Sequence, residues 1–330
     1  MTELIAELCQ NHNGSRETLE EMVEAAADAG ADYAKIQTIF ADDLTPRGRF
    51  ETGEVEHNGV TKTIERPYKP EYERLADLEL TEEDHRFFIE TCEAHGITPL
   101  TTVFSRKRIP MVSSLPWPER VVKVASYDCA SKPMLRELAE EFDRLLISTG
   151  ATYDEEIEET AEMLSKLDVD FTFLHCVTSY PNELQMCHLS RMEWLQQFTP
   201  SIGWSDHTLV ERDSVLATKA AIAFGADIIE RHFTILDPQE SKDGPVSITP
   251  ELLSELREFT DQSQEEQLKN IKSDLGERGI GLRKLKGHQQ RDLTHQEVLN
   301  RDYYRGRFAS YDSKTESWVY NWEGEEIQYE

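Results

Sequence analysis

Histidine, lysine and hydroxyl side chains recur in this sequence at the ends of short apolar runs. His207 and His232 follow two such runs, and Lys35 and Lys123 lie near the ends of two others. Two imidazoles can share one divalent cation whose remaining ligands are oxygen atoms. Two ammonium groups among hydroxyls are suited to hold a phosphate or a carboxylate. These residue types predict a metal site beside an anion site, if the fold brings them together.

The fold is indicated by short apolar runs that alternate with longer amphipathic stretches, a pattern typical of repeated βα units and a parallel sheet. Eight units in series with no duplicated half favour an α/β fold of the closed (β/α)8 TIM barrel type over an open doubly wound sheet. The predicted strands are 4–8, 32–37, 98–103, 120–125, 144–148, 170–176, 201–204 and 227–231.

Helices are predicted between these strands, several with a capping residue at the start or a glycine at the end. We predict a catalytic barrel over residues 1–278, with a long polar insertion at 40–80 that is typical of a lid or binding loop. Residues 279–330 form a short C-terminal extension that we expect to pack on the barrel. The predicted helices are 15–29, 81–95, 105–112, 132–141, 154–167, 190–197, 210–224 and 247–272.

Composition excludes several classes of protein. The chain has 64 acidic against 35 basic residues and a formal charge of -29, which disfavours nucleic acid or an anionic membrane as a partner. The N-terminus lacks the pattern of a signal peptide, and no apolar run is long enough to span a membrane. The five cysteines include no Cys-x-x-Cys pair. We therefore expect a reduced protein in the cytoplasm.

In a barrel of this type the active site lies at the carboxyl ends of the strands. The histidine pair would meet there and favours Mn²⁺ or Mg²⁺ over zinc, because the surrounding groups are oxygen donors; a histidine on its own is more often structural. The polar residues at the strand ends are Glu7, Lys35, Gln37, Thr101, Thr102, Lys123, Ser126, Ser148, His175, Ser205, Asp206, His207, Glu230 and His232.

Three interpretations of Lys35 and Lys123 remain open. A buried ammonium needs an anion, and this anion can be a ligand held together with hydroxyls such as Thr102 and Ser126. It can instead be a carboxylate of the protein, such as Glu7 or Glu230. One of the lysines could alternatively form a Schiff base. The surrounding hydroxyls favour the anion site.

Taken together, the motifs at the strand ends resemble those of the sialic acid synthase family, which includes the N-acetylneuraminate, legionaminate and pseudaminate synthases. The resemblance extends from position 7 to about position 256, and its order along the chain makes it specific. The motifs are ELCQNHNGS (7–15), KIQT (35–38), TTVFS (101–105), KVAS (123–126), STG (148–150), LHC (174–176) with Tyr180-Pro181, GWSDHT (203–208) and ERHFT (230–234).

The resemblance implies an enzyme that condenses phosphoenolpyruvate with an N-acylated amino sugar and releases phosphate, with the metal polarising the sugar carbonyl. It implies Glu7 and Asp128 as acid/base carboxylates, with His175 and Tyr180 near the sugar. Gln37 is a further candidate substrate-binding residue, and a homodimer is expected. The implied metal ligands are His207 and His232, and the implied phosphoenolpyruvate ligands are Lys35, Thr102, Lys123, Ser126, Ser148 and Ser205.

The sequence departs from the family pattern at three places. Tyr127-Asp128 stands where the family usually has Gly-Glu, and a usual Gly-Pro-Asp reads Gly244-Pro245-Val246, for which Asp243 is a possible substitute. Many members carry a C-terminal antifreeze-like domain that supplies an arginine, and we expect it to be incomplete here because 20 residues follow Ser310. Arg305 or Arg307 could replace that arginine, or could form surface salt bridges.

Two competing functions are considered. A synthase of a 3-deoxy sugar acid would need a second basic cluster for a sugar phosphate, and near a strand end the sequence offers Arg106, Lys107 and Arg108. A non-catalytic sugar-acid binding protein is the other alternative, suggested by Val246 and by the incomplete C-terminal domain. The balance of motifs favours the nonulosonic acid synthase.

Overall fold

Eight parallel strands close into a barrel in the computed structural model, which describes residues 2–55, 59 and 61–322. The barrel order is β1-β10-β9-β8-β7-β6-β5-β2, and β2 pairs with β1 to close the ring. Two further strand pairs, β3 with β4 and β11 with β12, are antiparallel. The strands are β1 (Glu3–Cys9), β2 (Tyr33–Thr38), β3 (Glu54–Val55), β4 (Thr61–Thr63), β5 (Thr98–Val103), β6 (Val121–Val124), β7 (Arg144–Ser148), β8 (Asp170–Cys176), β9 (Ile202–Asp206), β10 (Ile228–His232), β11 (Ala309–Asp312) and β12 (Ser317–Tyr320).

Helices follow most barrel strands, so the prediction of a (β/α)8 barrel is confirmed. Each predicted strand overlaps an observed one. Among the described residues, none of the helices has both the length and the apolar character needed to cross a bilayer. The helices are α1 (Arg16–Asp28), α2 (Tyr68–Leu78), α3 (Glu82–His95), α4 (Ile109–Ser113), α5 (Lys132–Glu141), α6 (Asp154–Leu164), α7 (Arg191–Leu195), α8 (Val210–Asp213), α9 (Leu216–Ala223), α10 (Pro250–Thr260), α11 (Gln264–Glu277), α12 (Leu282–Lys286) and α13 (His295–Tyr304).

Two long helices predicted from the sequence are each broken in the structure. The helix predicted over 210–224 divides at Ser214, whose φ of 50° and ψ of -130° are incompatible with a continuous helix. The helix predicted over 247–272 stops at Thr260. A new helix starts after Ser263, because the Ser263 hydroxyl and the Glu266 carboxylate form a capping box. The apolar periodicity runs across both breaks, which explains the error.

The side chains of the barrel strands alternate between an inner and an outer layer. An inner cluster closes the bottom of the barrel, and a larger outer cluster, which includes Phe173 and Trp204, packs between the strands and the helices. The positions two residues beyond members of the inner cluster carry Glu7, Lys35, Thr102, Lys123, Ser148 and Glu230. The inner cluster comprises Ile5, Tyr33, Leu100, Val121, Leu146, Leu174 and Ile228.

The insertion and the C-terminal extension contact each other above the carboxyl ends of the strands. The Thr45 hydroxyl donates to the Gly306 carbonyl at 2.7 Å, and its backbone N–H donates to the Arg307 carbonyl at 2.9 Å. Further along the extension, Asn321 Nδ2 donates to the Phe104 carbonyl at 2.8 Å. The extension therefore packs along the rim of the barrel that carries the polar strand ends.

Candidate active site

One cavity of about 480 Å³ lies at the carboxyl ends of the barrel strands. Its size falls in the range of small-molecule sites, roughly 300–1,000 Å³. Of the site residues predicted from the sequence, all but Asp128 and His175 line it. The lining residues that were predicted are Glu7, Lys35, Gln37, Thr102, Lys123, Ser126, Ser148, Tyr180, Ser205, His207, His232 and Asp243.

Strand register explains why these side chains meet. Glu7 on β1 lies opposite Lys35 on β2 and opposite His232 on β10. Thr102 on β5 lies opposite Lys123 on β6. Residues paired across neighbouring parallel strands point to the same face, and alternation along each strand turns these positions into the barrel. Residues remote in sequence thus form one polar layer above the apolar inner cluster.

The floor of the cavity consists of two lysines and two glutamates that are almost fully buried. Lys35 forms an ion pair with Glu7, donates to Thr102 Oγ1 at 2.8 Å and lies 3.6 Å from Glu230. Lys123 donates to Ser148 Oγ at 2.6 Å and lies 3.9 Å from Glu230. Both ammonium groups therefore have protein carboxylates nearby, as in the second of the three interpretations, and also the hydroxyls that an anion site requires.

The charges on this floor influence one another strongly. Burial lowers the pKa of Lys35 to about 8, although Glu230 opposes the shift. Burial alone would raise the pKa of Glu230, but Lys123 and Lys35 lower it to about 2. Glu230 is therefore ionised at neutral pH, and Ser205 Oγ donates to its Oε1 at 2.7 Å. The floor is a nearly neutral set of two cations and two anions.

The two histidines lie side by side at the cavity wall, with ring centroids 5.4 Å apart. Tyr180 packs on His207 at 4.1 Å between centroids. Burial lowers the pKa of His207 to about 3 and also lowers the pKa of His232, so both imidazoles are neutral at pH 7. A neutral imidazole has the lone pair that a metal needs.

The surroundings of His232 fit a divalent cation. Its buried Nδ1 has no hydrogen-bond partner among the described residues. One ligand atom each from Cys9, His232 and Asp243 lie within 4.8 Å of one another. The sequence predicted the two histidines as metal ligands, whereas Asp243 was considered as a substrate-binding substitute for the aspartate of the family's Gly-Pro-Asp. The geometry makes Asp243 a third potential ligand for the cation.

His175 lies outside the cavity, contrary to the expectation that it approaches the sugar. It occupies the position after Leu174 on β8, and Leu174 belongs to the inner cluster. The alternation of side chains therefore turns His175 outward, where it is fully buried, donates from Nε2 to the Cys187 carbonyl at 2.7 Å and packs against Trp204. Its role in this structure is packing.

Asp128 also lies outside the cavity. It ends a short 3-10 helix, Ser126–Asp128, which follows β6 and turns its carboxylate toward the C-terminal extension. There Oδ1 accepts from Asn321 Nδ2 at 3.3 Å and from Trp322 Nε1 at 3.1 Å. Asp128 therefore anchors the extension and does not face the site of reaction.

Replacing Asp128 by asparagine is expected to stabilise the protein at pH 8 but not at pH 4. Burial raises the pKa of Asp128 from 3.8 to about 7, although Asn321, Trp322 and Arg305 oppose the shift. Unfolding therefore releases a proton between these pH values, and stability falls as the pH rises from 4 to 7, by about 4 kcal/mol for a shift of roughly three pKa units.

Asparagine keeps the Oδ1 acceptor and carries no charge, so the gain at pH 8 should approach that figure. Thermal melts of both proteins at pH 4, 6 and 8 test this expectation. An equal difference in melting temperature at every pH would contradict the buried, proton-linked carboxylate.

Several cavity residues were not among the predicted site residues. Glu230 follows the same alternation as Glu7 and could have been selected on that basis. Of the two arginines considered from the sequence as replacements for the family's arginine, Arg307 lines the cavity, whereas Arg305 pairs with Glu156 at 2.7 Å outside it. The others lie on loops or on the extension, where the sequence has no periodic signal: Gln10, Arg66, Arg74, Lys242, Gln296, Asn300 and Tyr304.

Comparison with known proteins gives consistent matches. The model of the NeuB family matches residues 22–272. The N,N'-diacetyllegionaminic acid synthase of Legionella pneumophila is 32% identical over 259 residues, 77% of this chain and 69% of that protein. The pseudaminic acid synthase of Campylobacter jejuni strain 81-176 is 28% identical over 94% of this chain and 82% of its own length. The human N-acetylneuraminate-9-phosphate synthase is 27% identical over 77% of this chain and 67% of its own.

Among solved structures, the N-acetylneuraminic acid synthetase of Leptospira borgpetersenii superposes with a TM-score of 0.67 at 24% identity, covering 83% of this chain and 92% of that one. A likeness at this identity supports the shared barrel fold. The family match spans most of the barrel and includes most of the strands that line the cavity. The chain therefore belongs to the NeuB family, the sialic acid synthase family that its strand-end motifs resemble.

Proposed function

We propose that this protein condenses phosphoenolpyruvate with the open-chain form of an N-acylated amino sugar, giving a nonulosonic acid and inorganic phosphate. One observation carries the proposal: two lysines, four hydroxyl residues and two neutral histidines face a single cavity at the carboxyl ends of the strands. Relatives that are named as synthases of such acids match most of the chain. The fold, the charges and the family agree on one class of reaction.

Phosphoenolpyruvate would bind on the floor. Its phosphate and carboxylate would accept hydrogen bonds from Lys35 and Lys123, and such charge-assisted hydrogen bonds are about twice as strong as neutral ones. Glu7 and Glu230 hold the lysines in place before the ligand arrives. The hydroxyl donors that would complete the anion site are Thr102, Ser126, Ser148 and Ser205.

His207 and His232 would hold the divalent cation, Mn²⁺ or Mg²⁺, with Asp243 as a further ligand. A cation bound there would polarise the aldehyde carbonyl of the acceptor as a Lewis acid. Tyr180, which packs on His207, and Gln37 would place the sugar beside the phosphoenolpyruvate carbon. Gln37 is itself fixed by donation from Nε2 to Glu7 Oε1 at 3.3 Å.

The carbon–carbon bond forms between C3 of phosphoenolpyruvate and the aldehyde carbon, whose oxygen takes up a proton. Water then adds to C2, loses a proton, and the C2–O bond to phosphate breaks. A proton acceptor must lie within hydrogen-bond reach of that water, and we assign this role to the floor carboxylates Glu7 and Glu230. Glu230 replaces Asp128 in this assignment because Asp128 does not line the cavity.

Release of inorganic phosphate tests the proposal. Phosphoenolpyruvate is offered with a panel of N-acyl hexosamines and their phosphates, with Mn²⁺, with Mg²⁺ and with EDTA, and products are identified by mass spectrometry. We expect phosphate and a product that contains both carbon skeletons, only when an N-acyl sugar and a metal are present. Turnover of aldose phosphates that lack the N-acyl group, with no turnover of any N-acyl sugar, would reject the proposal.

A further inference from the structure

Four cationic side chains line the cavity beyond the strand ends, separate from the two lysines of the floor. Arg66 and Arg74 come from the insertion, Lys242 from the loop after β10, and Arg307 from the segment after α13. We call these four residues the rim cluster. The chain as a whole carries a formal charge of -29. Four cationic side chains brought together from three remote segments are therefore unusual in this protein.

The described residues do not neutralise the rim cluster. Glu71 on α2 accepts from Arg74 at 2.8 and 2.9 Å and from Arg307. Lys242 and Arg66 have no carboxylate within 4 Å in the described part of the chain. Asp243, which lies toward His232, is the other nearby carboxylate. Glu71 offsets one of the four positive charges and Asp243 lies toward His232, so the rim cluster keeps an excess of positive charge.

Arg307 points to a ligand most directly. The residue is 6% exposed and lines the cavity, yet its Nε is buried and has no hydrogen-bond partner among the described residues. Leaving a buried donor of a charged group unpaired costs free energy, on the order of several kcal/mol in an apolar setting. Tyr304 lies 5.3 Å from the guanidinium and restricts its position. The planar fork of the guanidinium matches the oxygen atoms of a phosphate.

We propose that the rim cluster binds a phosphate monoester carried by the acceptor, so that the amino sugar used by this protein is a sugar phosphate. The inference rests on the proposed function, because it assigns phosphoenolpyruvate to the floor and the acceptor to the rim. A phosphate monoester carries close to two negative charges at pH 7, which would offset the excess positive charge of the cluster. A neutral sugar would leave that charge unmatched.

The test compares N-acetylmannosamine with N-acetylmannosamine 6-phosphate in the phosphate-release assay. We expect kcat/KM to be higher for the phosphorylated sugar by on the order of a hundredfold, since two charge-assisted contacts are gained. Lys242→Gln should raise the KM for the sugar phosphate by on the order of tenfold and leave the KM for phosphoenolpyruvate within about twofold. Lys242→Arg should restore the wild-type KM.

Lys69→Gln is the matched control. Lys69 lies on α2, in the insertion that supplies Arg66 and Arg74, its side chain is 83% exposed, and it does not line the cavity. It should not change either KM. Equal or better use of the unphosphorylated sugar, with unchanged kinetics in Lys242→Gln, would overturn the inference while the proposed function stands.

Calorimetric titration of both sugars keeps the inference testable if no sugar is turned over, an outcome that would reject the proposed function. Binding of the 6-phosphate at least tenfold tighter than the neutral sugar, lost in Lys242→Gln, would support the rim site. Equal binding of the two sugars would overturn it.

Discussion

Replacing His232 by alanine is expected to lower metal-dependent phosphate release by about a thousandfold and to leave the fold intact. The ring is buried at the cavity wall, 5.4 Å from His207 between centroids, with an Nδ1 that no described residue satisfies. A divalent metal held by this ligand would stabilise the transition state by several kcal/mol, which corresponds to roughly three powers of ten in rate. His207→Ala is expected to have a similar effect, because the two rings would hold the same ion.

The measurement combines kcat/KM with a titration of Mn²⁺ by calorimetry, so that metal binding is read independently of turnover. The double variant should be little slower than either single variant, because residues that act as a unit are not additive. His95→Ala, at the end of α3 and away from the cavity, is the control and should bind Mn²⁺ normally. Unchanged activity or unchanged metal affinity in either active-site variant would remove the metal assignment.

Periodicity made the barrel predictable. The strands at 98–103, 144–148 and 170–176 were predicted with the bounds that the structure has. Parallel strands covered on both faces read as short apolar runs, and eight such runs leave few alternatives to closure. The site inherits this regularity, since Glu7, Lys35, Thr102 and Lys123 lie on strands whose inward positions alternate.

The same alternation explains why His175 does not line the cavity. An apolar run that is buried on both faces does not indicate from composition which of its positions point inward. His175 was therefore taken as a polar strand end without determining whether its position faces the inside or the outside of the barrel. Leu174, one position earlier, belongs to the inner cluster, so His175 faces outward. Counting from the inner residues of neighbouring strands would have excluded His175 and selected Glu230.

Loop and extension residues were beyond this reasoning for a different physical cause. Arg66, Lys242 and Arg307 meet because of long-range contacts between the insertion, the loop after β10 and the extension. No local periodicity links these positions. The position of Asp128 outside the cavity has a related cause, because the turn after β6 directs its carboxylate toward Trp322 of the extension.

Lys123→Met is the second change with a very large expected effect, a fall of about a thousandfold in kcat/KM for phosphoenolpyruvate. Lys123 is 2% exposed, and its ammonium donates to Ser148 Oγ at 2.6 Å and to the Val124 carbonyl at 2.9 Å. Truncating one partner of a buried, hydrogen-bonded charge pair in a binding site costs about 2–5 kcal/mol of binding free energy, because the bound anion is left without its cation. Methionine fills a similar volume, so the loss should come from charge.

The fold should survive this substitution, because Glu230 keeps Lys35 at 3.6 Å and the Ser205 hydroxyl at 2.7 Å. Lys132→Met, on the exposed face of α5 where Lys132 pairs with Glu159 at 2.8 Å, is the control and should retain wild-type kinetics. Adding Glu230→Gln to Lys123→Met should recover part of any loss in melting temperature without restoring turnover, since it removes the unpaired carboxylate but supplies no cation.

Chemical trapping separates this anion-binding role from covalent chemistry at the same lysine. If Lys123 acts as a cation, borohydride reduction in the presence of pyruvate should leave its mass unchanged and the enzyme active. If Lys123 forms a Schiff base, reduction should fix the pyruvate skeleton to it and abolish activity. The ammonium donates to the Ser148 hydroxyl and the Val124 carbonyl and lies 3.9 Å from Glu230, contacts that position it to bind an anion. A trapped adduct on Lys123 would therefore contradict the assignment of the floor to phosphoenolpyruvate.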